Sequence, residues 1–114
     1  MKRFPSIKKN SEFQSIYKGR NSYANRLLVM YITENEKLGN RIGISVSKKV
    51  GNSVVRHHIT RLIREIFRLN DHKLKTGLNI IVVARPAAKT SDYKHLEGAY
   101  LHLCGLHHIL KESK

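Results

Sequence analysis

The sequence predicts an α+β fold, a small mixed sheet of about four strands packed with three helices as a two-layer sandwich. Three stretches lead there. Residues 51–68, GNSVVRHHITRLIREIFR, repeat apolar positions at helical spacing. Residues 41–48, RIGISVSK, alternate strictly, with Ile42, Ile44 and Val46 on one side and Gly43, Ser45 and Ser47 on the other. Residues 78–84, LNIIVVA, run apolar without a break between loop signals, as a strand covered on both faces does.

The remaining elements follow in order. Residues 1–9 hold four Lys/Arg and read as a flexible basic arm. Ser11 to Gln14 fits a capping box that opens a short helix to Lys18, with Phe13, Ile16 and Tyr17 on one face. Residues 26–33, RLLVMYIT, are rich in branched and aromatic side chains and predict a strand, with an optional short strand near Tyr23 to Asn25. The polar run 34–40 is a turn or hairpin loop. The quoted basic helix spans 53–69, a loop follows at 73–77, and Pro86 stops the last strand. A final helix over 92–111 places Leu96, Tyr100, Leu103 and Leu110 together. The order is α-β-β-(β)-α-β-α. With 114 residues, 40% of them hydrophobic, one domain with one modest core is expected over 1–114.

Charge narrows the function. Twenty-two Lys+Arg face 8 Asp+Glu, a formal charge of +14. Such an excess repels itself and attracts polyanions. Cys104 alone cannot form an internal disulfide, which suits a reducing cytoplasmic setting, and reads as a small filler of the last helix. No apolar run is long enough to span a membrane, so no membrane partner is expected. The first residues lack the apolar segment of a secretory signal.

On a helical wheel, Val54, Val55, Ile59, Leu62, Ile63 and Ile66 fall within one half of the basic helix. His57, Arg61, Arg64 and Arg68 fall opposite, Arg56 and His58 on the flanks, and Phe67 on the Arg56 side. A merely solvated face mixes charge signs, but here Glu65 is the only acid and lies off the centre. Arginines in one row repel by a few tenths of a kcal/mol per pair, a cost a polyanion would offset. Arginine also favours two-pronged phosphate contacts. Lys48, Lys49, Gly51 and Asn52 lead into the helix, where free amides attract phosphate. Phe13, Tyr17 and Tyr31 could stack unpaired bases at about 1–3 kcal/mol each, or could be core; spacing leaves both open.

Catalytic and metal motifs are missing. His57 and His58 are adjacent, as are His107 and His108, and none supplies the i, i+4 pair with a third ligand that a helical zinc site needs. The acids are scattered, without a hydrolytic pair, so no catalytic residue is expected.

The segments IKKNSEFQSIYK, SYANRLLVMY, RIGISVSKKVGNSVVR and RLIREIFR, in that order, resemble the protein subunit of bacterial ribonuclease P from about Ile7 to Arg85. Arg56 matches the first residue of that family's Arg-Asn-Arg run, and His57 and His58 stand where Asn and the second Arg are usual. The resemblance implies a subunit of an endoribonuclease in which a large RNA is the catalyst. That RNA uses Mg²⁺, held by RNA and substrate rather than by a protein site, to remove the 5′ leader of precursor tRNA. It implies two RNA partners, ribonuclease P RNA and precursor tRNA, and no obligatory protein partner. By position, Lys49, Asn52, Arg56, His57, His58, Arg61, Arg64 and Arg68 are implied to face the catalytic RNA. Phe13, Tyr17, Tyr31, Ser45, Ser47 and Lys48 are implied to line the cleft for the single-stranded leader. A left-handed crossover around the basic helix is also implied, against the usual hand. The alternative is a small basic ribosomal or ribosome-assembly protein binding ribosomal RNA. A groove-reading DNA-binding module would want a helix-turn-helix or a dimer, and an unaided nuclease would want acids this chain lacks.

Overall fold

The computed structural model describes residues 5–36 and 39–111. Three α-helices, α1 (Asn10–Lys18), α2 (Ser53–Asn70) and α3 (Tyr93–Leu106), accompany four strands. The strands are β1 (Ser22–Ala24), β2 (Leu28–Glu34), β3 (Arg41–Ser45) and β4 (Leu78–Ala84), and they form one sheet in the order β1-β2-β4-β3. β1 and β4 run antiparallel to β2, while β3 runs parallel to β4, with Ile42 opposite Ile80 and Ile44 opposite Val82.

The alternation of β2 and β3 divides the sheet's two faces. Leu28, Met30, Ile32, Ile42, Ile80 and Val82 point to one face, where Ile59, Ile63, Ile66 and Phe67 of α2 and Leu96, Tyr100, Leu103 and Cys104 of α3 complete the main core. On the other face a smaller cluster joins Ile7, Ile16 and Ile81, flanked by Phe13, Tyr17, Tyr31 and Val83. So α2, α3 and the sheet form the sandwich, and α1 lies across the back of the sheet.

The parallel pair β3–β4 is joined through α2, and the hand of that crossover follows from one hydrogen bond. Ile32 turns its side chain toward α2 and α3, and its N–H donates to Asn21 O on the β1 side at 3.1 Å. For L-residues this sets the order β1, β2, β4, β3 from left to right, seen from the α2 side with β3 and β4 pointing up. The chain climbs β3, descends α2 in front of the sheet and re-enters on the left at β4. The crossover is left-handed, against the usual preference.

Several boundaries differ from the sequence expectations. The arm was expected to be loose through residue 9, but Ser6 bridges Ile42, Ile7 is 4% exposed, and Ile7 N–H donates to Ile42 O at 2.7 Å. An apolar residue was available to dock on the open edge of β3; residues 1–4 lie outside the described residues. The expected capping box at Ser11 does not form. Helix α1 begins at Asn10, capped at Lys9 without a side-chain bond, so Ser11 falls inside the first turn and cannot cap it. Residues 34–40 do not close a hairpin, since β4 lies between β2 and β3.

Strand β3 stops at Ser45, before the turn at 48–50 that buried Val50 anchors. Helix α3 stops at Leu106, where His108 takes a left-handed φ of 58°. His108 N–H then donates to Gly105 O and Ile109 N–H to Cys104 O, a Schellman ending that buries Ile109. Leu110 lies beyond the helix and bridges Leu74.

On α2, Phe67 is 2% exposed although the wheel put it on the Arg56 side, because the helix packs against both the sheet and α3 and buries a wider arc. Val54, expected inside, is 75% exposed: Val55, backed by Val50, closes the first turn and leaves Val54 facing outward.

Two buried amides, unforeseen in the sequence, fix the C-terminal end of α2. Asn40 donates to Asp71 Oδ1 and Lys75 O, both at 2.8 Å, and accepts from Leu78 N–H at 2.9 Å. Asn70 donates to Ile66 O and to Glu97 Oε2 on α3, both at 2.9 Å. Each satisfies polar groups that would otherwise be buried at a cost of about 1–3 kcal/mol. Burial pushes the Cys104 thiol up to about 12, consistent with a packed, unreactive side chain.

His107 packs against the sheet. Its Nε2 donates to Met30 O at 2.9 Å and Tyr23 packs edge-on at 4.8 Å, while Nδ1 is buried without a partner. Burial lowers its pKa below the ordinary 6.5, partly opposed by the Met30 bond. The unfolded chain therefore binds the proton more readily. Stability from His107 is present above about pH 6.5 and falls as pH drops toward the folded value. Urea melts of His107→Gln, which keeps a donor for Met30, should show a flatter loss of stability on acidification than the parent chain.

Candidate nucleic-acid interface

Helix α2 presents two unlike sides. Ile59, Ile63, Ile66 and Phe67 are at most 2% exposed, whereas Ser53, Val54, His57, His58, Arg61, Arg64 and Arg68 are exposed. The Asn52 side chain caps the helix by accepting from Val55 N–H at 3.0 Å, and its Nδ2 remains on the outer surface. Gly51 is required just before it: a Cβ there would stand 2.9 Å from Val55 Cβ.

Arg56 lies half-buried on the flank. Its Nε is buried without a hydrogen-bond partner, and Thr60 Oγ1 donates to its carbonyl at 2.9 Å. Arg56, His57, Thr60, Arg61 and Arg64 form one wall of a groove of about 470 Å³, with Ile44 and Val46 from β3 and the residue after it as the other. The sequence reading missed that apolar wall and Thr60. Two facts could have indicated it: Ile44 and Val46 follow Ile42 in register, and β3 ends just before α2. Arg68 differs from the rest of the stripe because it pairs with Glu65, the acid noted in the sequence. Its charge is thereby reduced as a contact for an external anion.

Lys48 and Lys49 are exposed in the turn between β3 and α2, where Lys49 N–H donates to Ser47 Oγ at 3.3 Å. Ser47 is exposed beside them.

The second candidate surface lies on the back of the sheet. Phe13, Tyr17 and Tyr31 come together as half-buried rings, with Tyr17 6.1 Å from Phe13 and 4.8 Å from Tyr31, the latter edge-on. Burial raises the Tyr17 pKa, and a hydrogen bond to Ser45 opposes that rise. The three rings are thus neither fully core nor fully free: their inner edges pack on Ile81 and Val83 and their outer edges meet solvent. The expectation of an open, flat face along Gly43, Ser45 and Ser47 holds only for Ser47, since Ser45 is half-buried beneath Tyr17. The ring of Phe13 covers Gly43, with Cζ 2.7 Å from where a Cβ would stand.

The two surfaces are joined by six residues of chain, 46–51. Ser45 sits under the aromatic cluster, and Asn52 starts α2 on the opposite face. Among the described residues, no three His, Cys, Asp or Glu side chains converge as metal ligands, and no helix is long and apolar enough to cross a membrane.

A family profile described as Ribonuclease P matches residues 1–107. The chain belongs to the ribonuclease P protein family. It is the protein component of the endoribonuclease that matures tRNA 5′ ends. It is 51% identical over 109 residues to the ribonuclease P protein component of Lachnoclostridium phytofermentans, covering 96% of this chain and 94% of that protein. A counterpart from Alkaliphilus metalliredigens is 52% identical over 97 residues, covering 85% and 87%. Among solved structures, the Staphylococcus aureus RNase P protein superposes with a TM-score of 0.87 at 39% identity, over 96% of this chain and all of that one. The Thermotoga maritima protein gives 0.79 at 27% identity, over 86% and 93%. The ribosomal alternative finds no support among these relatives.

The contact at Gly43 is directly testable. Gly43→Ala forces the Phe13 ring or Ile7 to move, and overpacking of this kind costs about 1–3 kcal/mol. Urea denaturation should register that loss, and an unchanged midpoint would mean that Phe13 does not rest on Gly43.

Proposed function

We propose that the outer side of α2 binds ribonuclease P RNA and that the aromatic cleft holds the single-stranded 5′ leader of precursor tRNA. The observation that carries the first half is the segregation of α2. Its apolar side is spent on the core, and His57, His58, Arg61 and Arg64 stand on the outer side, where the one acid is taken by Arg68. Lys49, Asn52 and Arg56 extend that surface to the helix start, and the free first-turn amides add partial positive charge there. Arg68, paired with Glu65, contributes least.

For the leader, rings and hydroxyls suit a segment whose sequence varies. Phe13, Tyr17 and Tyr31 offer π-faces that accept any base, and Ser45, Ser47 and Lys48 offer contacts to the sugar–phosphate chain. The six-residue link between Ser45 and Asn52 then holds catalyst and substrate in a fixed relation. Phosphodiester hydrolysis is carried by the RNA with Mg²⁺ held by RNA and substrate, and the protein supplies binding and orientation. Neutralising phosphates between the two RNAs lowers the Mg²⁺ concentration needed for assembly. The cytoplasm, where precursor tRNA is made, is the setting this reading requires.

Reconstitution with a bacterial ribonuclease P RNA at low Mg²⁺ tests the reading. Leader removal should need the protein, and the purified protein alone should not cut. If about six cations meet phosphates, log affinity for the RNA should fall with log salt at a slope near −4. Arg61→Ala and Arg64→Ala should each flatten that slope by roughly one unit or less without unfolding the chain. Slopes unchanged in both variants would remove the stripe as the contact surface.

A further inference from the structure

The back face of β3 and helix α1 meet at three points in register. Arg41, Gly43 and Ser45 share one face of β3. Against them stand Glu12, Phe13 and Tyr17 of α1. Arg41 Nη1 and Nη2 donate to Glu12 Oε2 and Oε1 at 2.6 and 3.1 Å, a two-pronged ion pair. The Phe13 ring rests on Gly43, and Tyr17 hydrogen-bonds Ser45.

The rest of α1's anchoring is apolar. The helix is nine residues long, has no side-chain N-cap, and buries one residue, Ile16. An isolated helix of that length is marginal in water, so its pose depends on what it packs against. Ile16 and the inner edges of Phe13 and Tyr17 hold it to the sheet through apolar contacts, which are non-directional. The Arg41–Glu12 pair is the directional contact: planar and partly buried, with side chains 21% and 33% exposed. Such pairs fix geometry as well as adding energy. Glu12 directly precedes Phe13, so any tilt of α1 released at Glu12 carries the ring with it.

We infer that Arg41 and Glu12 are positioning residues for the leader cleft, setting the height and tilt of the Phe13–Tyr17 ring pair above β3. The inference rests on the leader-binding reading of that cleft. Neither side chain needs to touch RNA: Arg41 acts through Glu12, and Glu12 through the ring beside it. The pair lies on the opposite face of the sheet from α2, so its loss leaves the catalytic-RNA surface in place.

The test uses the holoenzyme reconstituted with a bacterial ribonuclease P RNA. Affinity is measured for precursor tRNA with a several-nucleotide leader and with a one-nucleotide leader, and the ratio is the readout. Affinity of the protein for ribonuclease P RNA without substrate is measured alongside. Glu12→Gln and Arg41→Gln should each lower the ratio about tenfold, the size of a coupling between residues in one network, and leave RNA affinity unchanged. Should Arg41→Gln unfold, Arg41→Lys, which keeps the charge but not the two-pronged contact, reads the same ratio.

Phe13→Ala separates the two levels of the argument. If Phe13→Ala lowers the ratio and the Glu12 and Arg41 variants do not, the positioning role is overturned and the cleft stands. If Phe13→Ala leaves the ratio unchanged, the cleft reading falls and the positioning role falls with it. An equal loss in leader affinity and RNA affinity would mark a general structural defect and overturn the inference.

Discussion

Burial of Ile59, Ile63, Ile66 and Phe67 between the sheet and α3 is the constraint from which the outer surface follows. Each such side chain contributes about 1.5–3 kcal/mol on leaving water. Repulsion between neighbouring cations along a helix costs only a few tenths of a kcal/mol per pair. The apolar side therefore decides how the helix rolls, and the cations take whatever direction remains. With 3.6 residues per turn, that direction brings His57, Arg61 and Arg64 into one row. The same packing leaves Arg56 on the flank, its Nε buried and unpartnered beside a groove walled by Ile44 and Val46. An exposed row of like charge in a chain of formal charge +14 is held in place by the core, and such a row attracts polyanions.

Strand β3 connects this surface to the other one. Its Ile42 and Ile44 side packs toward α2, while its Arg41, Gly43 and Ser45 side receives α1 and the aromatic rings. The left-handed crossover then returns the chain through α2 to β4, directly beside β3. That connection is held by the parallel ladder of β3 and β4 and by two buried amides, Asn40 and Asn70, at the far end of α2. One short strand thus lies under the aromatic rings on one face and seats α2 on the other.

Where a single periodicity governs, the sequence was sufficient. The strand over residues 78–84, the span of α2 and the outward direction of Arg61 and Arg64 were all legible, because the buried positions repeat cleanly. The family resemblance supplied the crossover hand, which no local pattern encodes. What escaped was set by partners distant in sequence. Nothing local to Glu12 reveals its partner Arg41, 29 positions away. Ile7 reads as part of a loose arm until Ile42 receives it at the edge of β3. Phe67 reads as a flank residue until α3 covers it, and the polar loop reads as a hairpin until β4 inserts between β2 and β3. Gly43 looked like open floor because nothing in RIGISVSK reveals that Phe13 rests there.

Arginine reactivity mapped residue by residue tests the two-sided helix most directly. The folded protein is treated with an arginine-specific dicarbonyl reagent, free and bound to ribonuclease P RNA, and modified positions are read by mass spectrometry. The account predicts that Arg61 reacts readily in the free protein and is protected by the RNA, while Arg41, held by Glu12 on the opposite face, reacts slowly in both states. Unaltered reactivity of Arg61 in the complex would contradict it.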